Sequence, residues 1–182
     1  MSESCDLTYD DHLTILGVPK GAVIINPPVA PRGSEPKNPS IRKVLYNPNT
    51  GVMTDIVQYF MDLTKANLDG ASNWKEEYRF TSTYGIPDVS AASLHSLLQE
   101  FKNPDSSKFR AYYNYYYVSW PREHCSCACK NKQICQIEHA NADKYRQCVK
   151  DAETETQTCK AALTTATFIL TLVGAFFVQL TV

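Results

Sequence analysis

Residues 125–148 read CSCACKNKQICQIEHANADKYRQC, and four of their cysteines follow the spacing C-x3-C-x5-C-x12-C: Cys125, Cys129, Cys135 and Cys148. Closely spaced cysteines suit an oxidising compartment, where disulfides replace missing core area. Cys127 is an extra cysteine between Cys125 and Cys129. These three cysteines could therefore pair in more than one way. The segment predicts a small, disulfide-clipped C-terminal subdomain with one or two short helices.

The same segment also contains the residue types of a metal site. Tetrahedral zinc is bound by thiolates and imidazoles. Such groups are supplied here by His124, Cys125, Cys127, Cys129, Cys135 and His139. The spacing contains no C-x2-C pair, and a secretory context favours oxidation of the thiols. We therefore favour disulfides, with a zinc cluster as the alternative. Cys5 and Cys159 lie outside this segment, and their state is not assigned.

Residues 161–182 form an uncharged apolar tail, AALTTATFILTLVGAFFVQLTV. A membrane-spanning helix needs about 20 such residues, so the tail predicts a C-terminal apolar helix at a membrane. It would either remain as a tail anchor or be removed as a GPI-attachment signal. The GPI signal is favoured, because a polar spacer follows Ala152 and no basic residue follows the tail. Ala152 is the candidate attachment residue, and the folded part is expected on the extracellular face, reached through the secretory pathway.

The overall charge is nearly balanced, with 18 Lys+Arg against 19 Asp+Glu and a formal net charge of −1. Phosphate contacts need concentrated positive charge, so no nucleic-acid partner is predicted. Residues 1–11 lack the basic and apolar regions of a signal peptide. Because that disagrees with a membrane tail in an oxidising compartment, we expect either insertion after synthesis or a natural start upstream of Met1.

The first half of the chain contains strand patterns. The apolar run Gly21–Ile25 predicts a short buried strand, with no visible partner strand and a proline-rich loop after it. Ile41–Tyr46 and Met53–Met61 are rich in β-branched and aromatic residues and flank an Asn-Pro-Asn-Thr-Gly turn, which predicts a β-hairpin. Asp62–Asn73 reads as a polar link, and Trp74–Thr83 fits a strand or a helix.

Two amphipathic helices follow, because apolar residues recur at i, i+3, i+4 and i+7. Asp88 or Ser90 can cap the first helix, whose apolar face comprises Leu94, Leu97, Leu98 and Phe101. Residues 103–105, Asn-Pro-Asp, are expected to end it and to cap the second helix. The apolar face of the second helix comprises Phe109, Tyr112, Tyr113 and Tyr116.

Several segments occur in the order found in a known family. They read NPSIR at 38–42, YFMDLTKAN at 59–67, Trp74 with YR at 78–79, and YGIPD at 84–88, before the four-cysteine spacing. In these segments the chain resembles the C-terminal domain of acid sphingomyelinase-like phosphodiesterases, and most of all the GPI-anchored member of that group. Residues 18–31 also resemble the closing strands of that family's catalytic β-sandwich.

The resemblance implies an α+β fold, with residual sandwich strands and a hairpin before a small helical subdomain. Residues 1–37 would end the sandwich, 38–150 would form the family's C-terminal domain, 151–160 a polar spacer and 161–182 the membrane tail. It also implies the disulfides Cys125–Cys129 and Cys135–Cys148. A loop of the second size is worth about 3 kcal/mol by loop-closure entropy.

The resemblance further implies hydrolysis of a phosphodiester, such as sphingomyelin or a nucleotide, by paired zinc ions that activate water. The family takes its metal ligands from D-x-H, G-D, G-N-H and G-H-x-H motifs, which lie upstream of the part matched here. No catalytic or metal-binding residue is therefore predicted in this chain, and zinc is implied only for the full-length enzyme. His12 begins an insert, residues 12–16, that departs from the family pattern.

Two functions remain open at this point. The chain would pack on a catalytic metallophosphoesterase domain and anchor it to membrane lipid, or it would be a non-catalytic, membrane-held extracellular binding or decoy module. The tyrosine-rich run 112–117 could stack on a sugar or a lipid headgroup, although a core role is favoured. His95 is expected to be structural, and the pairs Glu76–Glu77 and Asp10–Asp11 are expected to be solvated surface.

Overall fold

The computed structural model describes residues 36–154 without interruption and, before them, residues 7–8, 14–15, 18–19, 22–24 and 29. The apolar helix predicted at 161–182 lies outside these residues. In the part of the chain that is described, no helix has both the length and the apolar character needed to cross a bilayer.

Four two-residue strands precede the main sheet: β1 (Leu7–Thr8), β2 (Thr14–Ile15), β3 (Val18–Pro19) and β4 (Val23–Ile24). They form two antiparallel pairs, β1 with β4 and β2 with β3. The strand predicted near residues 21–25 is present, but two of its expected properties are wrong. Val23 is 50% exposed rather than buried, and the strand has a partner in β1.

The main sheet is antiparallel and has three strands in the order β5 (Ser40–Tyr46), β6 (Met53–Met61) and β7 (Trp74–Arg79). The predicted hairpin between β5 and β6 is confirmed. Its turn closes through Asn47 N–H, which donates to Val52 O at 2.8 Å, and the Asn47 side chain accepts from Asn49 N–H at 2.9 Å. Gly51 lies at φ 70°, a left-handed conformation that glycine adopts at little cost.

The helices are α1 (Leu63–Asp69), α2 (Phe80–Tyr84), α3 (Ala91–Lys102), α4 (Ser107–Tyr116), α5 (Cys127–Glu138) and α6 (residues 142–154). The segment predicted as a polar link therefore contains α1. Asp62 caps α1 by accepting from Lys65 N–H, and no residue of this helix is buried. The sequence did not predict α1, because a helix without a buried face lacks the apolar stripe by which a helix is recognised.

Serine side chains cap α3, α4 and α5 by accepting a backbone N–H in the first turn. These capping residues are Ser90 for α3, Ser106 for α4 and Ser126 for α5. Ser90 was one of the two predicted caps of α3. The prediction that residues 103–105 cap α4 is wrong by one residue, because Ser106 makes that hydrogen bond.

The core lies between the sheet and α2, α3 and α4 and is strongly aromatic. The apolar face predicted for α3 is buried in full, and the face predicted for α4 is buried except at Tyr113, which is partly exposed. Rings of successive elements meet edge to face, for example Tyr84 with Phe101 at 5.9 Å and Phe101 with Phe109 at 6.0 Å between centroids. The described part is thus α+β, as predicted.

Candidate functional site

A β-bulge in β7 places an acidic side chain among buried groups. In the register Gln58 lies opposite Tyr78 and Tyr59 lies opposite Glu76, so Glu77 has no partner of its own. The extra residue of a bulge re-aims neighbouring side chains. Here both Glu77 and Tyr78 contact groups of the same polar cluster.

This cluster is a chain of short hydrogen bonds, which we call the Glu77 network. Arg42 Nε donates to Gln58 Oε1 at 2.6 Å, and Gln58 Nε2 donates to Glu77 Oε2 at 2.6 Å. Ser119 Oγ donates to Glu77 Oε1 at 2.7 Å. Gln58 is fully buried at 0% exposure, so both ends of its amide have the partners that burial demands.

A strained turn after α4 delivers Ser119 to this network. Val118 and Ser119 have φ values of 53° and 49°, and they are the non-glycine residues with positive φ in the described part of the chain. Asn38 holds the turn, since its Nδ2 donates to Val118 O at 2.9 Å while its Oδ1 accepts from Leu63 N–H at 3.0 Å. The left-handed conformation is unfavourable for a β-branched residue, so the surrounding contacts must hold it.

Burial raises the pKa of the Glu77 carboxyl above its usual value, although hydrogen bonds from Ser119 and Gln58 and the charge of Arg42 act in the opposite direction. The pKa of Tyr115 is also raised, by burial first and then by the nearby Glu77 charge. The network therefore holds an acidic group whose ionised form is poorly solvated.

A largely buried group of aromatic side chains adjoins the network. Tyr78 and Tyr115 stack with 4.1 Å between ring centroids, and Arg42 Nη2 donates to Tyr78 OH at 3.3 Å. We call Arg42, Tyr78, Tyr112, Tyr115 and Tyr116 the aromatic platform. Together with Phe80, Tyr84 and Ile24 of β4 they line a cavity of about 20 Å³. The platform therefore joins β4 to the main core.

The cysteine segment contains two disulfides, Cys125–Cys129 and Cys135–Cys148. These are the pairs that the family resemblance implies. The first lies at the start of α5, and the second joins α5 to α6. Cys127 is exposed and belongs to neither disulfide. Cys5 and Cys159 lie outside the described residues.

The zinc-cluster alternative does not fit this geometry. Among the described residues, no group of three or more His, Cys, Asp or Glu side chains could hold a metal ion. Three of the four candidate thiols, Cys125, Cys129 and Cys135, are oxidised in disulfides. Asp10 and His12 do have the D-x-H spacing of one family motif, but they lie outside the described residues.

Several other predicted sites have structural roles. Tyr112 and Tyr116 are core residues, and Arg122 lies 3.5 Å from the centre of the Tyr117 ring. His95 is partly buried on α3.

The prediction that Glu76 and Glu77 are both solvated is wrong for Glu77, because the bulge directs it into the network. No pattern in the sequence marks that bulge. Ala152 lies partly buried within α6.

Known proteins resemble this chain over most of its length. The family model described as the acid sphingomyelin phosphodiesterase C-terminal region matches residues 22–155. Cyclic GMP-AMP phosphodiesterase SMPDL3A of Mus musculus is 38% identical over 152 residues, covering 79% of this chain and 34% of that protein. Human acid sphingomyelinase-like phosphodiesterase 3b is 36% identical over 155 residues, covering 81% and 33%. Sphingomyelin phosphodiesterase B of Dictyostelium discoideum is 33% identical over 117 residues, covering 62% and 18%.

The chain spans about a third of the length of the first two of these relatives. The matched residues include β4, the aromatic platform, the Glu77 network and both disulfides. With the family model matching most of the chain, the conclusion is direct: this chain belongs to the acid sphingomyelin phosphodiesterase C-terminal family.

Proposed function

We propose that this chain serves as the C-terminal region of an acid sphingomyelinase-like phosphodiesterase, where it packs against a catalytic metallophosphoesterase domain and supports it. The observation that carries the proposal is the packing of Ile24 on the aromatic platform. Residues 22–24 begin the family region, and they contact the core instead of leading away from it. A catalytic domain ending in β4 would therefore be held against the platform.

The partly exposed members of the platform, Arg42 and Tyr115, have the chemistry of a lasting interdomain contact. Tyrosine and arginine are enriched at protein interfaces, because they combine a large apolar area with a polar end. Arg42 is also held in place by Gln58 and Tyr78, so little side-chain entropy remains to be lost when a domain packs on it. Such preorganisation favours a stable contact.

Zinc is the metal that the family implies, and the described residues do not form a site that fits it. The proposal therefore leaves metal binding and hydrolysis to the catalytic domain. Relatives are named for cyclic GMP-AMP and for sphingomyelin, so the substrate class we propose is a phosphodiester. This chain contributes support to that reaction.

A chimaera tests the proposal. Residues 22–154 would replace the matching region of the mouse cyclic GMP-AMP phosphodiesterase SMPDL3A, and the product would be assayed for zinc-dependent hydrolysis of bis(p-nitrophenyl) phosphate. We expect a folded, active enzyme. Ile24→Asp should lower its melting temperature and its yield, because a carboxylate would be buried against the platform. Leu68→Gln is the control, since Leu68 is 81% exposed.

An active chimaera in which Ile24→Asp behaves like Leu68→Gln would refute the platform as the contact surface. A chimaera that folds without binding or hydrolysing substrate would instead refute the supporting role of the whole region.

We also propose that the tail at 161–182 holds the protein on the extracellular face of the membrane as a GPI anchor. The support is the sequence alone: a polar spacer, an uncharged apolar run and no basic residue after it. Phosphatidylinositol-specific phospholipase C should release the protein from expressing cells. Retention after treatment would favour a tail anchor, and a protein found in the medium without treatment would contradict both forms of anchoring.

One observation favours the second function, a non-catalytic binding or decoy module. Strand β4 pairs with β1 of the same chain, so its backbone groups need no strand from an upstream domain. The intact mass of the native protein separates the two functions. A longer protein with Asp and His metal motifs supports the enzyme, whereas a native start at Met1 supports the module.

A further inference from the structure

A groove of about 640 Å³ lies between the end of α3, α5 and α6. Its volume falls within the range of roughly 300–1,000 Å³ typical of small-molecule sites. None of its lining residues belongs to the aromatic platform. Ile134 and the Cys135–Cys148 disulfide supply the apolar part of the lining, and three lysines supply positive charge, Lys102, Lys130 and Lys144.

The two carboxylates of the groove already have partners in the protein. Glu138 accepts from Lys102 Nζ at 2.7 Å. Asp151 accepts from Gln147 Nε2 at 2.8 Å. With three lysines against these two carboxylates, the lining carries a net positive formal charge.

Lys130 is the informative cation, because its hydrogen-bond acceptors are neutral backbone carbonyls and the nearby Asp105 acts on it only through its charge. Its Nζ donates to the backbone carbonyls of Asn103 and Pro104, and it lies 4.8 Å from the centre of the Phe109 ring. Among the described residues it forms no ion pair. Burial lowers its pKa, which means that its charge is incompletely solvated. A partly buried cation of this kind gains from an anion placed beside it.

We propose that this groove binds a phosphate-bearing anion through Lys130 and Lys144. Lysine binds phosphate as a compact point charge, and the volume accommodates a phosphate ester rather than a bare ion. The same chemistry occurs in soluble phosphate esters and in phospholipid headgroups. The second source is relevant because α6, which lines the groove, precedes the apolar tail.

Binding to the full-length, detergent-solubilised chain tests the proposal by isothermal titration. One arm uses glycerol 3-phosphate, and the other uses neutral detergent micelles doped with phosphatidic acid against undoped micelles. We expect at least one probe to bind, and Lys144→Gln to weaken it about tenfold through loss of one charge-assisted hydrogen bond. Lys130→Gln should have a similar effect. Lys150→Gln is the matched control, because Lys150 is exposed on the same helix and does not line the groove.

Binding of the soluble ester alone identifies a free phosphate ester, and binding of doped micelles alone identifies a headgroup; both support the site. Failure of both probes overturns it. An equal loss for Lys150→Gln and Lys144→Gln also overturns it, since that result means non-specific attraction. Lys144→Gln leaves the hydrogen bonds from Lys130 to the Asn103 and Pro104 carbonyls in place, so it keeps the test valid if Lys130→Gln unfolds.

Discussion

At the scale of single residues, the backbone conformations of Val118 and Ser119 are energetically unfavourable. The left-handed backbone conformation costs an L-residue about 1–2 kcal/mol of free energy relative to the right-handed conformation. The cost is offset locally, because Val118 is fully buried at 0% exposure, Asn38 binds its carbonyl and Ser119 binds Glu77. The strain thus places a hydroxyl donor beside a partly buried carboxylate.

Substitutions of Ser119 separate the hydrogen bond from the strain. Ser119→Ala should lower the free energy of unfolding by about 1–3 kcal/mol, because Glu77 loses a donor. Ser119→Gly loses the same donor but relieves the positive φ, so it should be more stable than Ser119→Ala by about 1 kcal/mol. Urea unfolding of both variants measures the difference. A glycine variant less stable than the alanine variant would contradict the role of strain.

Glu77 makes stability depend on pH. Because burial raises its folded-state pKa above the usual 4.5, the folded protein binds this proton more tightly than the unfolded chain. Stability should therefore rise as pH falls through the raised pKa, and the gain is complete below about 4.5. Glu77→Gln should flatten the stability curve in the window just above that value. Glu76→Gln is the control, since Glu76 is exposed outside the network and pairs with Arg79. Equal curves for wild type and Glu77→Gln would refute the effect.

At the scale of elements, α6 depends on a covalent link. None of its residues from 142 to 154 is buried, so it contributes little apolar burial to its own stability. The Cys135–Cys148 disulfide joins it to α5, with 5.7 Å between the two Cα atoms. We therefore expect the position of α6 to depend on this disulfide.

Removing that disulfide should cost about 3 kcal/mol of unfolding free energy. The variant pairs Cys135→Ala with Cys148→Ser, and hydrogen exchange should quicken in α6 before the rest of the domain. The matched control removes Cys125–Cys129, which spans 4 residues instead of 13 and closes a smaller loop. A greater loss for the control would argue against loop closure as the cause.

At the scale of the whole molecule, two surfaces with different chemistry are separated. The aromatic platform contacts β4 through Ile24, whereas the lysine-lined groove lies beside α6. Neither contains a group of metal ligands among the described residues.

The isolated chain should not hydrolyse bis(p-nitrophenyl) phosphate when zinc is added. The physical reason is that two-metal hydrolysis needs converging carboxylate and imidazole ligands, and the described residues provide no such group. The mouse cyclic GMP-AMP phosphodiesterase SMPDL3A, assayed in parallel, is the positive control. Turnover above that of a chelator-treated sample would refute the prediction.

Local patterns in the sequence determined much of this protein. Periodic apolar residues predicted α3 and α4, and the Asn-Pro-Asn-Thr-Gly turn predicted the β5–β6 hairpin. The ordered segments and the cysteine spacing identified the family. Each of these features is set by residues a few positions apart, so it can be recognised in the sequence without the tertiary structure.

Only the tertiary structure decided the surroundings of Glu77. The sequence pattern indicated a solvated carboxylate, but a bulge turns it toward Gln58, and Ser119 reaches it from 42 residues away. The left-handed turn at Val118 and the positive groove beside α6 likewise arise from elements brought together by folding. Such features depend on contacts between distant residues, and their energies are set by burial that no local pattern encodes.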